Sequence, residues 1–286
     1  MRLITFASDK GPRIAAVVDS GYVDLNAADD SIPTCPIDFL EGGAEMLAKA
    51  KAAASSGSPM TEAPKILAPI PYPNKIVCIG LNYADHAAES GAEIPSEPVT
   101  FCKFSTAVAA HEETVMLPKL TDKVDYEAEL VVVIGKRGRH IAKEDAMSHV
   151  GGYACGHDVS ARDWQLQKPG GQWLLGKTVD GFAPFGPELV TADEIADPGQ
   201  LNISLRLNGE TMQDSNTKQL IFPVDELISY LSGVVTLEAG DVIFTGTPPG
   251  VGAARKPPVY IQDGDVCEIE IEGIGVLRNS FAKESA

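Results

Sequence analysis

The stretch Asp125-Tyr126-Glu127-Ala128-Glu129-Leu130-Val131-Val132-Val133-Ile134-Gly135 decides the fold, because it joins a buried strand to two acidic residues at its start. The apolar, β-branched run over 130–134, closed by a glycine, is typical of a fully buried β-strand. Side chains alternate between the two faces of a strand, so Glu127 and Glu129 point the same way. Neighbouring carboxylates at the edge of an apolar core are costly unless a positive charge lies between them. The pair therefore indicates a divalent cation site, and the alternative is a solvated strand edge in an acidic protein.

The composition of the 286-residue chain is that of a soluble globular protein, with 44% hydrophobic and 22% charged residues. A formal net charge of −17 argues against nucleic acid and anionic membranes as partners. The five cysteines are widely spaced and form no C-x-x-C pair, which predicts free thiols and no zinc site. Because the sequence shows neither a secretory signal nor an apolar run of membrane length, we expect a soluble, cytoplasmic protein.

Two units are predicted, with a boundary near residue 70. Residues 1–70 read as a small N-terminal α+β domain, with three short strands and a helix from Ile37 to Ala54 that is interrupted at Gly42-Gly43. No residue of this unit suggests chemistry. Residues 71–286 carry the buried strand and further strand-like runs, two of which Asn208-Gly209 joins in a hairpin. The fold class expected is a mixed, β-rich α+β protein.

His86 and Glu89 lie three residues apart in a short, alanine-rich helix that ends near Gly91, and therefore share one helix face. A carboxylate beside an imidazole fixes its tautomer and raises its basicity, which a water-activating base requires. The alternative is a surface His–Glu pair without a function.

Further polar residues follow the buried strand. Asp158 ends a strand of small residues and is the natural third carboxylate, and Arg162 and Gln165 share one face of the next turn. Lys177 follows an apolar run, so it either reaches out to solvent or faces a negatively charged pocket. Thr247 lies in a rigid, glycine-lined loop whose amides and hydroxyl suit a carboxylate. That loop lacks the Lys-Ser/Thr ending of a phosphate loop, which argues against nucleotide binding.

Together these motifs resemble the fumarylacetoacetate hydrolase family. The resemblance covers residues from about 75 to 279 and rests on Gly80-Leu81-Asn82-Tyr83…His86…Glu89, Asp125-Tyr126-Glu127-Ala128-Glu129, His157-Asp158-Val159-Ser160-Ala161-Arg162-Asp163-Trp164-Gln165, Leu175-Gly176-Lys177 and Thr245-Gly246-Thr247-Pro248-Pro249-Gly250-Val251-Gly252. Within the family, the chain is most similar to the domain-containing protein 2 subgroup and to bacterial diketo sugar-acid hydrolases. The resemblance implies a β-roll catalytic domain behind the small N-terminal domain, in a homodimer.

The resemblance also implies a role for each matched position. Glu127, Glu129 and Asp158 match ligands for Mg²⁺ or Mn²⁺, with Ca²⁺ as a substitute in crystals. His86 and Glu89 match a water-activating dyad on a lid. The substrate-orienting positions are Arg162, Gln165, Lys177 and Thr247. Three carboxylates without clustered cysteine or histidine favour such hard ions. The founding enzyme has a larger N-terminal domain and an extra aspartate ligand, so fumarylacetoacetate is not the expected substrate.

The activity expected is hydrolysis of a carbon–carbon bond in a 1,3-dicarbonyl substrate of the acylpyruvate or 2,4-diketo acid type. A small anionic 2-oxo acid binds the metal, and Lys177 serves as a catalytic cation for the pyruvate enolate that is released. One alternative uses the same site as an oxaloacetate decarboxylase or keto–enol tautomerase, and a remote one is a non-catalytic binding protein. The surroundings of Trp164 and Trp173, with the lid after Glu89, are expected to shape the distal part of the pocket.

Overall fold

A computed structural model describes residues 1–91 and 93–285 of the chain. The strands are β1 (Arg2–Ser8), β2 (Gly11–Val18), β3 (Gly21–Asp24), β4 (Ile66–Leu67), β5 (Ile76–Gly80), β6 (Val99–Lys103), β7 (Val108–Ala109), β8 (Val115–Leu117), β9 (Val124–Asp125), β10 (Ala128–Ile134), β11 (Val150–His157), β12 (Ser160–Ala161), β13 (Ala183–Thr191), β14 (Asn202–Leu207), β15 (Glu210–Asn216), β16 (Val242–Phe244), β17 (Val266–Ile271) and β18 (Gly275–Lys283). The α-helices are α1 (Leu25–Ala28), α2 (Pro36–Glu41), α3 (Gly43–Ser56), α4 (Ala84–Ser90), α5 (Arg162–Leu166), α6 (Leu174–Lys177) and α7 (Val224–Val234).

Strand β10 is the buried strand predicted from the opening stretch, and every one of its residues is buried. It lies inside an 11-stranded sheet of order β3-β2-β1-β13-β11-β10-β16-β5-β6, with β4 paired to β1 and β7 to β13. Because β-branched residues pack well on a pleated surface that is covered on both sides, three consecutive valines suit this central position.

The two faces of β10 belong to two different hydrophobic cores. Leu130 and Val132 pack in a core that includes residues of α7 and of a second, five-stranded sheet of order β15-β14-β17-β18-β8. Val131 and Val133 pack in a core that includes Leu40 of α2 and residues of α3. The strand that begins with the acidic pair is thus held rigidly from both sides.

The three short strands predicted at the N-terminus are β1, β2 and β3, and the helix predicted to be interrupted at Gly42-Gly43 is present as α2 and α3. Strand β1 pairs with β13 in antiparallel register, with Arg2 opposite Val190, so the main sheet continues from the N-terminal unit into the rest of the chain. The division near residue 70 stays a prediction. The mixed, β-rich α+β fold class is confirmed, and Asn208-Gly209 joins β14 to β15 with φ angles of 52° and 82°.

The cysteines are all free thiols: Cys78, Cys155 and Cys267 are buried, Cys35 is half-buried and Cys102 is exposed on β6. Within residues 1–91 and 93–285, no helix combines the length and the apolar character that crossing a membrane requires.

Candidate metal centre and active site

Three carboxylates meet where β10 begins and β11 ends. Glu127 precedes β10, Glu129 lies in it, and Asp158 directly follows β11. Antiparallel pairing places Ala128 opposite His157, and the Asp158 backbone N–H donates to the Glu127 carbonyl at 3.0 Å. One ligand oxygen from each carboxylate lies within 4.8 Å of the other two, and all three residues are buried. Glu127 and Glu129 therefore share a face, as the strand period predicts.

Side-chain cations surround two of these carboxylates. Lys177 Nζ lies 2.8 Å from Glu127 Oε2 and 2.9 Å from Asp158 Oδ2. Arg162 Nη2 lies 2.7 Å from Glu127 Oε1, and Lys103 Nζ lies 2.6 Å from Asp158 Oδ1. Burial alone would raise the pKa of Glu127, but Lys177 and Arg162 lower it to about 2. Glu127 is therefore a permanent anion in this centre.

Glu129 is different, because it forms no ion pair with any residue that the structure describes. Its Oε2 accepts one hydrogen bond, from the Gly246 N–H at 2.8 Å. Burial, then the neighbouring Asp158 and Glu127, raise the pKa of Glu129 well above its ordinary value. In addition, the buried Asp158 Oδ1 accepts no hydrogen bond. Among the described residues no side-chain cation pairs with Glu129, so its ionised form requires a further positive charge. A hard divalent cation held by Glu127, Glu129 and Asp158 would supply that charge.

The loop after β16 completes this wall of the site. Gly246 has a φ of +106°, and a Cβ there would lie 2.7 Å from the Asn82 Cβ, so only glycine brings the Gly246 N–H to Glu129. Thr247 Oγ1 accepts a hydrogen bond from Gln213 Nε2 at 2.9 Å. Gln213 Oε1 in turn accepts from the Ala128 N–H at 2.8 Å, which ties the loop to β10.

Helix α4 carries the predicted dyad. His86 Nδ1 lies 3.3 Å from Glu89 Oε2, and the Gly250 N–H donates to the two Glu89 oxygens at 3.2 and 3.1 Å. At the other end of the helix, Ser215 Oγ donates to Asp85 Oδ2 at 2.6 Å. The helix is therefore docked onto the loop after β16 and onto β15, with the His86 ring at the cavity.

A cavity of about 340 Å³ lies over the carboxylates. Eight of the nine residues predicted from the sequence line this cavity, namely His86, Glu127, Glu129, Asp158, Arg162, Gln165, Lys177 and Thr247. The ninth, Glu89, does not line it but contacts His86. Ile79, Phe101, Leu166 and Trp173 form its apolar wall. Lys177 thus faces a negatively charged pocket, the second of its two expected placements. Trp173 lines the cavity, whereas Trp164 does not and donates from Nε1 to the Leu120 carbonyl at 3.2 Å.

Sequence reasoning missed three buried polar residues that support the site, namely Lys103, Asp125 and Gln213. Asp125 accepts from Arg162 Nε at 2.7 Å and from the Gly252 N–H at 2.7 Å, so it fixes the guanidinium group against the loop after β16. Its place beside the Glu-x-Glu pair was the only sequence signal. Gln213 gave none, because an isolated glutamine in a strand has no pattern of its own.

A model of the fumarylacetoacetate (FAA) hydrolase C-terminal region matches residues 75–282. The chain belongs to the fumarylacetoacetate hydrolase family. This confirms the resemblance read from the motifs, and the relatives below carry the names of enzymes. Oxaloacetate tautomerase FAHD2A, mitochondrial, of Bos taurus is 47% identical over 98% of this chain and 91% of its own length.

Solved structures of the fumarylacetoacetate hydrolase family share the fold. The fumarylacetoacetate hydrolase of the psychrophilic Exiguobacterium antarcticum is 37% identical, with a TM-score of 0.86 over 99% of this chain and 100% of its own. Maleylpyruvate hydrolase from Sphingobium sp. SYK-6, solved in complex with manganese(II) ion and pyruvate, is 29% identical, with a TM-score of 0.83 over 100% of both chains.

The cytoplasmic location expected from the sequence is contradicted by the relatives. The names of the Bos taurus, Xenopus laevis and Homo sapiens proteins place them in mitochondria. The expectation rested on the lack of a secretory signal and of a membrane-length run, and neither test recognises an amphipathic targeting segment.

Proposed function

We propose that this enzyme interconverts the keto and enol forms of oxaloacetate at a divalent-metal centre. The observation that carries the proposal is the cavity itself, where three buried carboxylates with oxygens within 4.8 Å of one another face His86 and Lys177. The 47% identity to a protein named oxaloacetate tautomerase supports this substrate over the acylpyruvates expected first. Glu127, Glu129 and Asp158 would hold Mg²⁺ or Mn²⁺, and such an ion supplies electrophilic polarisation of the 2-oxo group.

The side chains of the cavity account for the proton transfer. In the tautomer whose Nδ1–H donates to Glu89, the basic atom of His86 is Nε2, and this atom takes a proton from C3 of the substrate. Burial alone would lower the pKa of Lys177, but Asp158 and Glu127 raise it, so the ammonium group stays charged beside the developing negative charge. The proton on His86 is then delivered to the former 2-oxo oxygen. The carbon skeleton is unchanged and no water is consumed.

The substrate is oriented by side chains whose hydrogen-bond donors outnumber their protein acceptors. Arg162 has five N–H donors, and three protein acceptors engage it, on Asp125, Gln165 and Glu127. The Lys177 ammonium group has three donors and two carboxylate partners. The remaining donors and the Thr247 hydroxyl suit the carboxylates of a small 2-oxo acid. A homodimer, inferred from the family resemblance, remains part of this proposal.

Hydrolysis of an acylpyruvate is the second candidate, and the solved maleylpyruvate hydrolase with manganese and pyruvate favours it. In that reaction the dyad of His86 and Glu89 deprotonates a water molecule instead of C3. The two reactions differ in their products, because hydrolysis releases pyruvate and tautomerisation leaves the carbon chain intact. Decarboxylation of oxaloacetate differs again, because it releases CO₂ together with pyruvate.

The test is to follow deuterium exchange at C3 of oxaloacetate by NMR with Mg²⁺, and pyruvate and CO₂ release in parallel, with acylpyruvates as further substrates. We expect metal-dependent exchange without CO₂, and a loss in His86→Ala of roughly 10²–10⁴-fold in rate, the usual contribution of a general base. His140→Asn, at an exposed histidine outside the cavity, is the matched control and should keep full activity. Pyruvate release from an acylpyruvate, with no turnover of oxaloacetate, would transfer the assignment to the hydrolase. Release of CO₂ and pyruvate in equal amounts from oxaloacetate would transfer it to the decarboxylase.

A further inference from the structure

Lys103 is a buried lysine that has no role in the proposed reaction. It is the last residue of β6, the edge strand of the main sheet, and its side chain has no solvent exposure. An ammonium group without water is costly unless every donor and its charge are matched. The environment of Lys103 therefore has to explain why a lysine stands there.

Every N–H of the Lys103 ammonium group has a backbone acceptor. Nζ donates to the carbonyls of Val159 at 3.1 Å, Lys177 at 2.6 Å and Phe182 at 2.6 Å. Val159 directly follows Asp158, Lys177 is the last residue of α6, and Phe182 directly precedes β13. One nitrogen thus joins the segment that carries Asp158 to the helix that carries Lys177.

The charge of Lys103 is matched inside the centre as well. Nζ lies 2.6 Å from Asp158 Oδ1, the oxygen that accepts no hydrogen bond, while Asp158 Oδ2 faces Lys177. The three donors of Lys103 are spent on carbonyls, so its contact with Oδ1 is an ion pair only. The Asp158 carboxylate is therefore held between the ammonium groups of Lys103 and Lys177. The hydrogen bond from Lys103 Nζ to the Lys177 carbonyl links these two residues.

We infer that Lys103 is a positioning residue of this centre, which fixes the Asp158 carboxylate and the segment ending in Lys177 relative to each other. Its charge has a second effect. Four buried acidic side chains, including Asp125, meet three basic ones, so a divalent ion brings the group to a net charge of +1. In a protein of net charge −17, that local excess favours an anionic substrate. The inference rests on the proposed metal site and needs no particular reaction.

Binding measurements test this without turnover. Mn²⁺ affinity and the Mn²⁺ electron paramagnetic resonance spectrum are recorded for the wild type and for Lys103→Met, followed by titration of the Mn²⁺ forms with oxalate, a small dianion that chelates the ion. We expect an altered spectrum and at least tenfold weaker oxalate binding in Lys103→Met. The matched control is Lys75→Met, which removes another lysine paired with a buried aspartate (Asp241, 2.9 Å) outside the cavity. It should lose stability and keep the wild-type spectrum and oxalate affinity.

Lys103→Arg covers the case in which Lys103→Met does not fold. The guanidinium group keeps the charge, but it is planar and cannot direct three donors of one nitrogen to three carbonyls. Its spectrum should still differ from that of the wild type. A wild-type spectrum and wild-type oxalate affinity in the folded variant would overturn the inference. Failure of the wild type itself to bind Mn²⁺ would instead overturn the proposed metal site.

Discussion

Glutamates stand at alternate positions in two places, at the start of β10 and within β17, and their surroundings differ. Glu127 and Glu129 at β10 are 6% and 1% exposed. Glu268 and Glu270 in β17 have side chains that are 31% and 52% exposed and pair with Arg206 of the neighbouring β14, at 3.5 and 2.8 Å. The second pair lies on a solvated face of the central strand of the five-stranded sheet, and solvated carboxylates are what the sequence left open as an alternative for the first pair. A Glu-x-Glu pattern therefore becomes a candidate metal site only when both of its carboxylates lose their water.

The largest difference is expected between the two arginines of this comparison. Arg162→Met leaves Asp125 and Glu127 buried with less compensation and should lower the free energy of unfolding by about 3–5 kcal/mol, as for other broken buried pairs. Arg206→Met removes a partly exposed pair and should cost at most about 1 kcal/mol. Urea unfolding in a chelating buffer measures both values. Equal losses would show that the buried network adds nothing beyond surface pairing.

The second largest difference is expected in Mn²⁺ affinity, between a substitution in the buried glutamate pair and one in the exposed pair. Glu129→Gln keeps the shape of the side chain and removes its charge, so Mn²⁺ affinity should fall on the order of 100-fold or more, beyond the usual loss for an outer-shell residue. Glu270→Gln should leave the affinity unchanged. Isothermal titration calorimetry gives both constants, and equal Mn²⁺ affinity in the two variants would remove Glu129 from the ligand set.

Metal removal should destabilise only a protein with an intact centre. At a free Mn²⁺ concentration of a hundred times Kd, a ligand that binds only the folded state stabilises it by about 2.7 kcal/mol. The wild type and Glu270→Gln should lose this increment in excess chelator, while Glu129→Gln, with its affinity lowered about 100-fold or more, should lose at most about 0.4 kcal/mol at the same Mn²⁺ concentration. Unfolding curves with and without Mn²⁺ test this, and an equal increment in all three would place the ion elsewhere.

The smallest effect expected is that of salt on the exposed pair. Glu270→Gln should cost at most about 0.5 kcal/mol of unfolding free energy at low ionic strength, and this should vanish near 1 M salt because screening reaches exposed charges. The loss in Arg162→Met should largely persist at high salt, because Asp125 and Glu127 are buried and salt screens buried pairs much less than exposed ones. A salt-independent loss in Glu270→Gln would contradict the solvated state of the β17 face that carries Glu268 and Glu270.

Much of the site could be predicted because its residues form patterns over a few positions of the sequence. Glu127 and Glu129 share a face through the period of the strand, and His86 and Glu89 through that of the helix. The supporting residues could not be found in this way. Gln213 contacts Ala128 across 85 positions of the chain, and Lys103 reaches the Lys177 carbonyl across 74. No local pattern records such contacts, and isolated buried lysines and glutamines resemble surface residues until the fold encloses them.

The sequence by itself determined the buried strand β10, the hairpin at Asn208-Gly209 and the shared face of Glu127 and Glu129, because backbone stereochemistry and side-chain alternation act over a few residues. The tertiary structure alone decided which pair is buried. Strand β10 is enclosed by two cores built from distant parts of the chain, and three cations reach Glu127 or Asp158 but none reaches Glu129. Burial and charge balance depend on elements that meet only on folding, and they distinguish a candidate metal centre from an ordinary acidic surface.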